Sequence, residues 1–105
     1  EEDGLALSSR NTYLDVEQRS QAAMIYAGLK EARQRVERGE RDAEALKAWL
    51  RDFYSRNIYS GQIDYIEVVD PQEMHPVETV GGSALLAVAV YLGRARLIDN
   101  MYLGE

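Results

Sequence analysis

A chain of 105 residues can form one globular domain with a modest core. It has no cysteine, which excludes disulfides and thiolate metal sites, and its one histidine argues against a multi-histidine zinc centre. A net charge of −6 argues against a nucleic-acid partner, and the apolar runs are too short to span a membrane. We interpret His75 as a solvated loop histidine rather than a ligand or general base.

The N-terminal segment from Ser8 to Asn11 places two hydroxyls, a guanidinium and an amide just before a predicted helix. The fork of donors on Arg10 matches the geometry of phosphate oxygens, and a nearby helix N-terminus favours negative charge. The same letters are also typical of a loop that carries helix-capping side chains, which is the commoner meaning of such a segment. Taken alone, the segment leaves both interpretations open.

Two amphipathic helices are predicted next. Asp15 and Gln18 form a capping box at the start of the first helix, and Gly39 can end it in a left-handed conformation. Asp42 can cap the second helix. The first helix has one apolar stripe at helical spacing, made of Ala22, Ile25, Tyr26, Leu29, Ala32 and Val36. The second has a similar stripe of Leu46, Trp49, Leu50 and Phe53. We interpret both stripes as core.

From residue 62 onward the pattern changes to that of β-strands. Residues 63–69 are rich in β-branched and aromatic side chains, which predicts a strand. A connection with both prolines follows, in which Asp70 can cap a short helical turn that begins at Pro71.

Residues 83–92 are nearly all apolar, which is typical of a strand that is covered on both faces or central in a sheet. Gly93 and Arg94 then predict a tight hairpin turn to a return strand over residues 96–103. On that strand Asp99 and Asn100 should point to opposite faces as structural hydrogen-bonding groups. The predicted fold class is α+β, with two helices packed on a three-stranded antiparallel sheet. We place the strand over residues 83–92 at its centre, because that strand is the most apolar.

Three segments resemble motifs of the pantothenate synthetase (pantoate–β-alanine ligase) family, in the family's order. The segment Asp3–Asn11, followed by Tyr13-Leu14, is similar to the family's phosphate-loop signature. The segment Asp64-Tyr65-Ile66-Glu67 resembles the first strand of its C-terminal domain, and Arg96-Leu97-Ile98-Asp99-Asn100 resembles its closing motif. The resemblance implies that residues 1–105 are the C-terminal lid domain of a two-domain ligase, without its N-terminal Rossmann-like domain. The opening Glu1-Glu2-Asp3 likewise suggests a fragment.

The resemblance also implies an activity: ATP, with Mg²⁺, drives condensation of pantoate with β-alanine through a pantoyl adenylate. It implies ATP binding by Leu7, Ser8, Ser9 and Arg10, with Leu7 against the adenine, and a catalytic role for Arg10 toward the leaving pyrophosphate. No metal ligand is assigned to the chain. The implied partners are its own N-terminal nucleotide-binding domain and the two substrates, in a cytoplasmic enzyme expected to be a homodimer when full-length. The isolated domain is expected to be inactive.

Two other possibilities remain open. The chain could be a stand-alone protein-interaction module that kept the lid fold and lost its catalytic partner, because a fold does not fix a function. The isolated domain could also self-associate through faces that would otherwise meet the N-terminal domain.

Overall fold

The computed structural model describes residues 16–104. Its elements, in chain order, are α1 (Val16–Glu37), α2 (Ala43–Asn57), β1 (Gly61–Val69), β2 (Ser83–Leu92) and β3 (Ala95–Gly104). The strands form one antiparallel sheet with the order β1-β2-β3. Both helices pack on the same face of this sheet, α1 mainly over β3 and α2 over β1. The α+β class, the two helices on a three-stranded antiparallel sheet and the central position of β2 are confirmed.

The helix ends follow the local signals in the sequence. Gly39 has a φ of +115°, and its N–H donates to Val36 O while that of Glu40 donates to Arg35 O, both at 3.0 Å. This pair of bonds is a Schellman cap, which satisfies carbonyls that the helix end would leave without a partner. Asp42 Oδ1 accepts from the N–H groups of Glu44 at 2.9 Å and Ala45 at 3.2 Å, so the predicted N-cap of α2 is confirmed. Asp15 lies outside the described residues.

The buried face of α1 is rotated relative to the predicted stripe. Tyr26 was expected in the core but is 36% exposed, whereas Gln21 and Gly28 are buried. At 100° per residue, Gln21 and Gly28 lie on one side of the stripe through Ile25 and Leu29, and Tyr26 lies on the other. The prediction for Tyr26 is therefore wrong, because α2 packs on the Gly28 side of α1. The other members of the stripe are buried: Ala22, Ile25, Leu29, Ala32 and Val36.

In α2 the core is formed by Leu46, Leu50 and Tyr54, each essentially without exposed surface. Trp49 and Phe53 are only partly buried; their rings stack with centroids 5.3 Å apart. The sequence stripe did not include Tyr54, whose hydroxyl donates to Ile25 O of α1 at 2.7 Å. This bond satisfies a polar group in the core and links the two helices.

The β2–β3 hairpin turns at Gly93 and Arg94, as predicted, with Leu92 opposite Ala95. Gly93 has a φ of +60° and occupies the first central position, which is the glycine position of a type II′ turn. On the helix-covered face the strands contribute an apolar layer: Ile66, Val68, Leu86, Val88, Val90, Leu97 and Leu103. Asp99 and Asn100 lie on opposite faces, as predicted.

The connection between β1 and β2 begins with the predicted turn. Asp70 Oδ1 accepts from Gln72 N at 2.8 Å, and Met74 N donates to Asp70 O at 2.6 Å, which closes one turn after Pro71. The His75 side chain is 75% exposed, which confirms its place in a solvated loop.

Candidate functional site

The predicted ATP-binding residues Leu7, Ser8, Ser9 and Arg10 lie outside the described residues, and so does Asn11. Their roles therefore stay predictions. The structure does describe the start of α1 at Val16, which follows Arg10 by six positions in the sequence. In the sequence, five residues separate Arg10 from this helix start.

The first two turns of α1 are held by the turn between α2 and β1. The Tyr59 hydroxyl donates to the Glu17 carboxylate, a bond that raises the pKa of Tyr59 above its ordinary value. Gln21 is only 3% exposed and makes two bonds to Ser60: its Nε2 donates to Ser60 Oγ at 3.1 Å, and its Oε1 accepts from Ser60 N at 2.8 Å. A buried amide satisfied in this way fixes one geometry, because losing either bond would leave a polar group without a partner.

The β2–β3 hairpin meets the same part of α1. A Cβ placed on Gly93 would come within 2.8 Å of Gln18 Oε1, so the turn approaches the helix closely at a residue that has no side chain. We call this part of the molecule the hairpin end: residues 16–21 of α1, residues 59–61 and the β2–β3 turn. The hairpin end holds the helix start that follows the predicted phosphate loop.

On the open face of the sheet, the two C-terminal segments that carry the family resemblance meet across β2. The β1–β2 register shifts at Asp64, and the Asp64 carboxylate accepts from Arg96 Nε at 3.0 Å and Nη2 at 2.7 Å. The Arg96 guanidinium also lies 5.8 Å from the Tyr91 ring centroid and 5.9 Å from that of Tyr65. The hydrogen bond to Asp64 raises the pKa of Arg96 above its ordinary value.

Because the Arg96 guanidinium is paired with the Asp64 carboxylate, we do not assign it as a binding site for an anionic ligand. Two N–H groups of the guanidinium donate to the same carboxylate oxygen, which is a charge-assisted contact that orients both side chains. The sequence patterns did not predict this pair. The only signal for the pair in the sequence was that the two predicted outer strands carry opposite charges, because the bulge that aligns them depends on the fold.

Asp99 lies on the helix-covered face of β3, and its Oδ1 accepts from the backbone N–H of Asn100 at 2.8 Å. Loss of water around the carboxyl raises its pKa, and its negative charge in turn adds to the rise in the pKa of Tyr54, whose main cause is burial. These contacts support the structural role predicted for Asp99.

Because its pKa is raised, Asp99 is predicted to destabilise the folded protein in a pH-dependent way. The folded protein holds this proton more tightly than the unfolded chain, so stability falls as the pH rises from the unfolded value, about 3.9, through the folded one. An asparagine side chain at this position would still accept from the Asn100 amide and would not titrate. We therefore expect Asp99→Asn to be more stable than the wild type at neutral pH, with a gain that shrinks toward pH 4.

Urea denaturation at several pH values measures this difference, with Asp52→Asn as a control because Asp52 lies on the exposed surface of α2. A stability gain of equal size at every pH would contradict the assigned cause.

Among residues 16–104, no group of three or more His, Asp or Glu side chains is placed to hold a metal ion. No helix in that part of the chain is long and apolar enough to cross a membrane.

Comparison with known proteins extends the resemblance to the whole chain. The family model described as Pantoate-beta-alanine ligase matches residues 1–102. Pantothenate synthetase of Oleidesulfovibrio alaskensis is 50% identical over 103 residues, and that of Maridesulfovibrio salexigens 52% identical over 101. These alignments cover 98% and 96% of this chain, but only 37% and 36% of the relatives. The chain thus spans little more than a third of their length.

Solved structures agree with the sequence relatives. A crystal structure of pantothenate synthetase from Thermus thermophilus superposes with a TM-score of 0.85 at 35% identity, over 96% of this chain and 36% of that one. A second structure of the enzyme from the same organism gives a TM-score of 0.84 at 39% identity. Since the family model matches nearly every residue, the chain belongs to the pantoate–β-alanine ligase family.

Proposed function

We propose that the chain is the C-terminal domain of a ligase that condenses pantoate with β-alanine to give pantothenate. The observation that carries the proposal is the family match over residues 1–102, supported by relatives named pantothenate synthetase that are about half identical. The share of those relatives that the chain spans is in keeping with one domain of a larger enzyme. No comparison favours a stand-alone interaction module.

The proposed contribution of this domain is a phosphate-binding loop. In the reaction, the pantoate carboxylate attacks the α-phosphorus of ATP and pyrophosphate leaves. The β-alanine amine then attacks the carbonyl of the pantoyl adenylate, and AMP leaves as the amide bond forms. Negative charge builds on the pyrophosphate in the first step. Arg10 and the hydroxyls of Ser8 and Ser9 are donors suited to that charge, and a permanently charged guanidinium does not compete for substrate protons.

The remaining part of the proposed site follows from residue chemistry. Leu7 would lie against the adenine. Ser8, Ser9 and Arg10 fit phosphate oxygens but include no carboxylate, so Mg²⁺ would arrive with the ATP phosphates rather than be held by this loop. We propose that the full-length enzyme is a cytoplasmic homodimer in which a nucleotide-binding domain supplies the pantoate and β-alanine pockets.

The hairpin end supports a mechanical role for α1 in this proposal. Bonds from Glu17 and Gln21 fix the helix start to Tyr59 and Ser60. A loop that precedes a fixed helix start has one end held, which reduces the conformational freedom that phosphate binding would otherwise have to remove. The domain would therefore deliver Arg10 from a rigid base.

A chimera tests the function directly. The matching 103-residue segment of the Oleidesulfovibrio alaskensis pantothenate synthetase is replaced by this chain, and pantothenate formation is measured with ATP, pantoate and β-alanine. We expect ATP-dependent activity within about one order of magnitude of the parent enzyme. The reason is that the inserted chain aligns with the segment it replaces over 103 residues at 50% identity. The parent with the segment deleted, and this chain alone, should both be inactive.

Two results would count against the proposal. One is a chimera that is monodisperse and cooperatively folded yet forms no pantothenate. The other is robust pantothenate formation by the isolated chain, since the proposal places most of the nucleotide pocket and both substrate pockets elsewhere.

A further inference from the structure

The outer edge of β3 is the longest regular strand edge in the described part of the chain. Within residues 16–104, β3 pairs only with β2, along all ten of its residues and without a shift in register. The other edge of the sheet is interrupted, because β1 carries the bulge at Asp64 and accepts at Val68 O from Val77 N at 2.9 Å. A long uninterrupted edge is a template for pairing with another strand.

The hairpin determines which amides of β3 point outward. In a two-residue hairpin, the residues that flank the turn form a hydrogen-bonded pair, here Leu92 and Ala95, and bonding then alternates along the strand. The odd-numbered residues of β3 therefore bond to β2. The even-numbered residues, from Arg96 to Tyr102, direct their N–H and C=O groups away from the sheet.

One of these outward N–H groups, that of Asn100, already has a side-chain hydrogen-bond acceptor. Asn100 N donates to Asp99 Oδ1 at 2.8 Å, although the Asp99 side chain starts on the helix-covered face. The carboxylate thus reaches around the edge and takes the hydrogen that an added strand would need. Placing a charged side chain at an edge is one way in which proteins prevent edge-to-edge association.

The rest of the edge is suited to a second copy of the same chain. Ile98 and Tyr102, on the open face, are 48% and 61% exposed. In a twofold pairing with Ile98 opposite its own counterpart, Arg96 would face the counterpart of Asn100 and Arg94 that of Tyr102. No like charges would meet on that face. On the other face, Asp99 would lie opposite the counterpart of Leu97. Placing a carboxylate against this apolar side chain would disfavour the pairing, whereas an apolar residue at position 99 would not.

We propose that the outer edge of β3 is a self-pairing surface for a second copy of this chain, and that Asp99 keeps it closed in the monomer. The hydrogen bond to Asn100 N is the closing contact. The proposal is independent of the ligase function, because it concerns only the association of folded chains.

Sedimentation velocity across a wide range of concentrations tests the proposal. Asp99→Ala removes the acceptor, and we expect its dimer dissociation constant to be at least about tenfold lower than that of the wild type. Asp99→Asn keeps an oxygen within reach of Asn100 N and should stay monomeric. Asp52→Ala removes the same charge from the exposed surface of α2 and should also leave the monomer unchanged.

Amide hydrogen exchange locates the contact. In the wild type, the Asn100 amide should exchange more slowly than those of Ile98 and Tyr102. In the Asp99→Ala dimer, the Ile98 and Tyr102 amides should become protected, and adding Ile98→Lys should restore the monomer because an edge lysine opposes pairing.

Three outcomes would overturn the proposal. They are a folded Asp99→Ala chain that stays monomeric at every concentration, a dimer in which the outward amides of Ile98 and Tyr102 remain unprotected, and a wild-type Asn100 amide that exchanges as fast as theirs. If Asp99→Ala does not fold, Asp99→Val makes the same test, since a β-branched apolar residue suits the covered face of a strand.

Discussion

Replacing Arg10 with alanine in the chimeric ligase is expected to slow adenylate formation by roughly 30- to 1000-fold, a loss of about 2–4 kcal/mol. The physical reason is that the guanidinium would stabilise charge that develops on pyrophosphate only as the α-phosphorus is attacked. An interaction that strengthens in the transition state lowers the rate constant when removed, more than it weakens ATP binding. Single-turnover measurement of pyrophosphate release isolates this step.

Two further variants make the result specific to Arg10. Arg10→Lys keeps the charge but loses the planar fork, so its rate should fall between those of the wild type and Arg10→Ala. Arg33→Ala removes an arginine from α1 that forms an exposed ion pair with Glu37 at 3.4 Å, and should leave adenylation unchanged. An unaltered adenylation rate in Arg10→Ala would move Arg10 to a structural role.

Replacing Gly28 with leucine is expected to destabilise the domain by about 3 kcal/mol, the upper part of the usual range for an overfilled core. A Cβ at this position would lie 2.6 Å from Tyr54 Cε1 and 2.8 Å from Leu50 Cδ1, both in α2. The Tyr54 ring cannot move aside easily, because its hydroxyl is bonded to Ile25 O at 2.7 Å. The two helices would have to separate to admit the new side chain.

Urea denaturation of the 105-residue chain measures this cost. Gly81→Leu is the matched control, because a Cβ at Gly81 would have no atom within 4 Å. That variant should stay within about 0.5 kcal/mol of the wild type, as is usual for surface changes. A Gly28→Leu chain as stable as Gly81→Leu would mean that close approach at Gly28 contributes nothing to the packing of α1 on α2.

The features that the sequence predicted well have local causes. Gly39, Asp42 and the Gly93-Arg94 turn act within a few residues of their own positions, and the structure confirms all three. The alternation along residues 96–103 likewise assigns each side chain to a face without knowledge of any partner. The strand order could also be predicted, because β2 is the most apolar strand and needs a neighbouring strand on each side.

The features that the sequence did not predict depend on which elements meet. Gly28 and Tyr54 are buried, and Tyr26 is not, because α2 crosses α1 on one particular side. A glycine within a helix is a weak signal of such a crossing, since glycine lowers helix stability unless close approach requires it. The Asp64–Arg96 pair needed a register shift between strands that no spacing in the sequence indicates.

The packing of α1 on β3 has a consequence for the order in which this chain can fold. Within the sheet, α1 packs mainly on β3, which follows it by more than fifty residues and ends at Gly104. During synthesis, α1 and α2 emerge before β3, so the apolar stripe of α1 stays without its sheet partner until β3 has left the ribosome. Closure of the core is therefore a late event, and the nascent helices must keep their apolar faces from other partners until then.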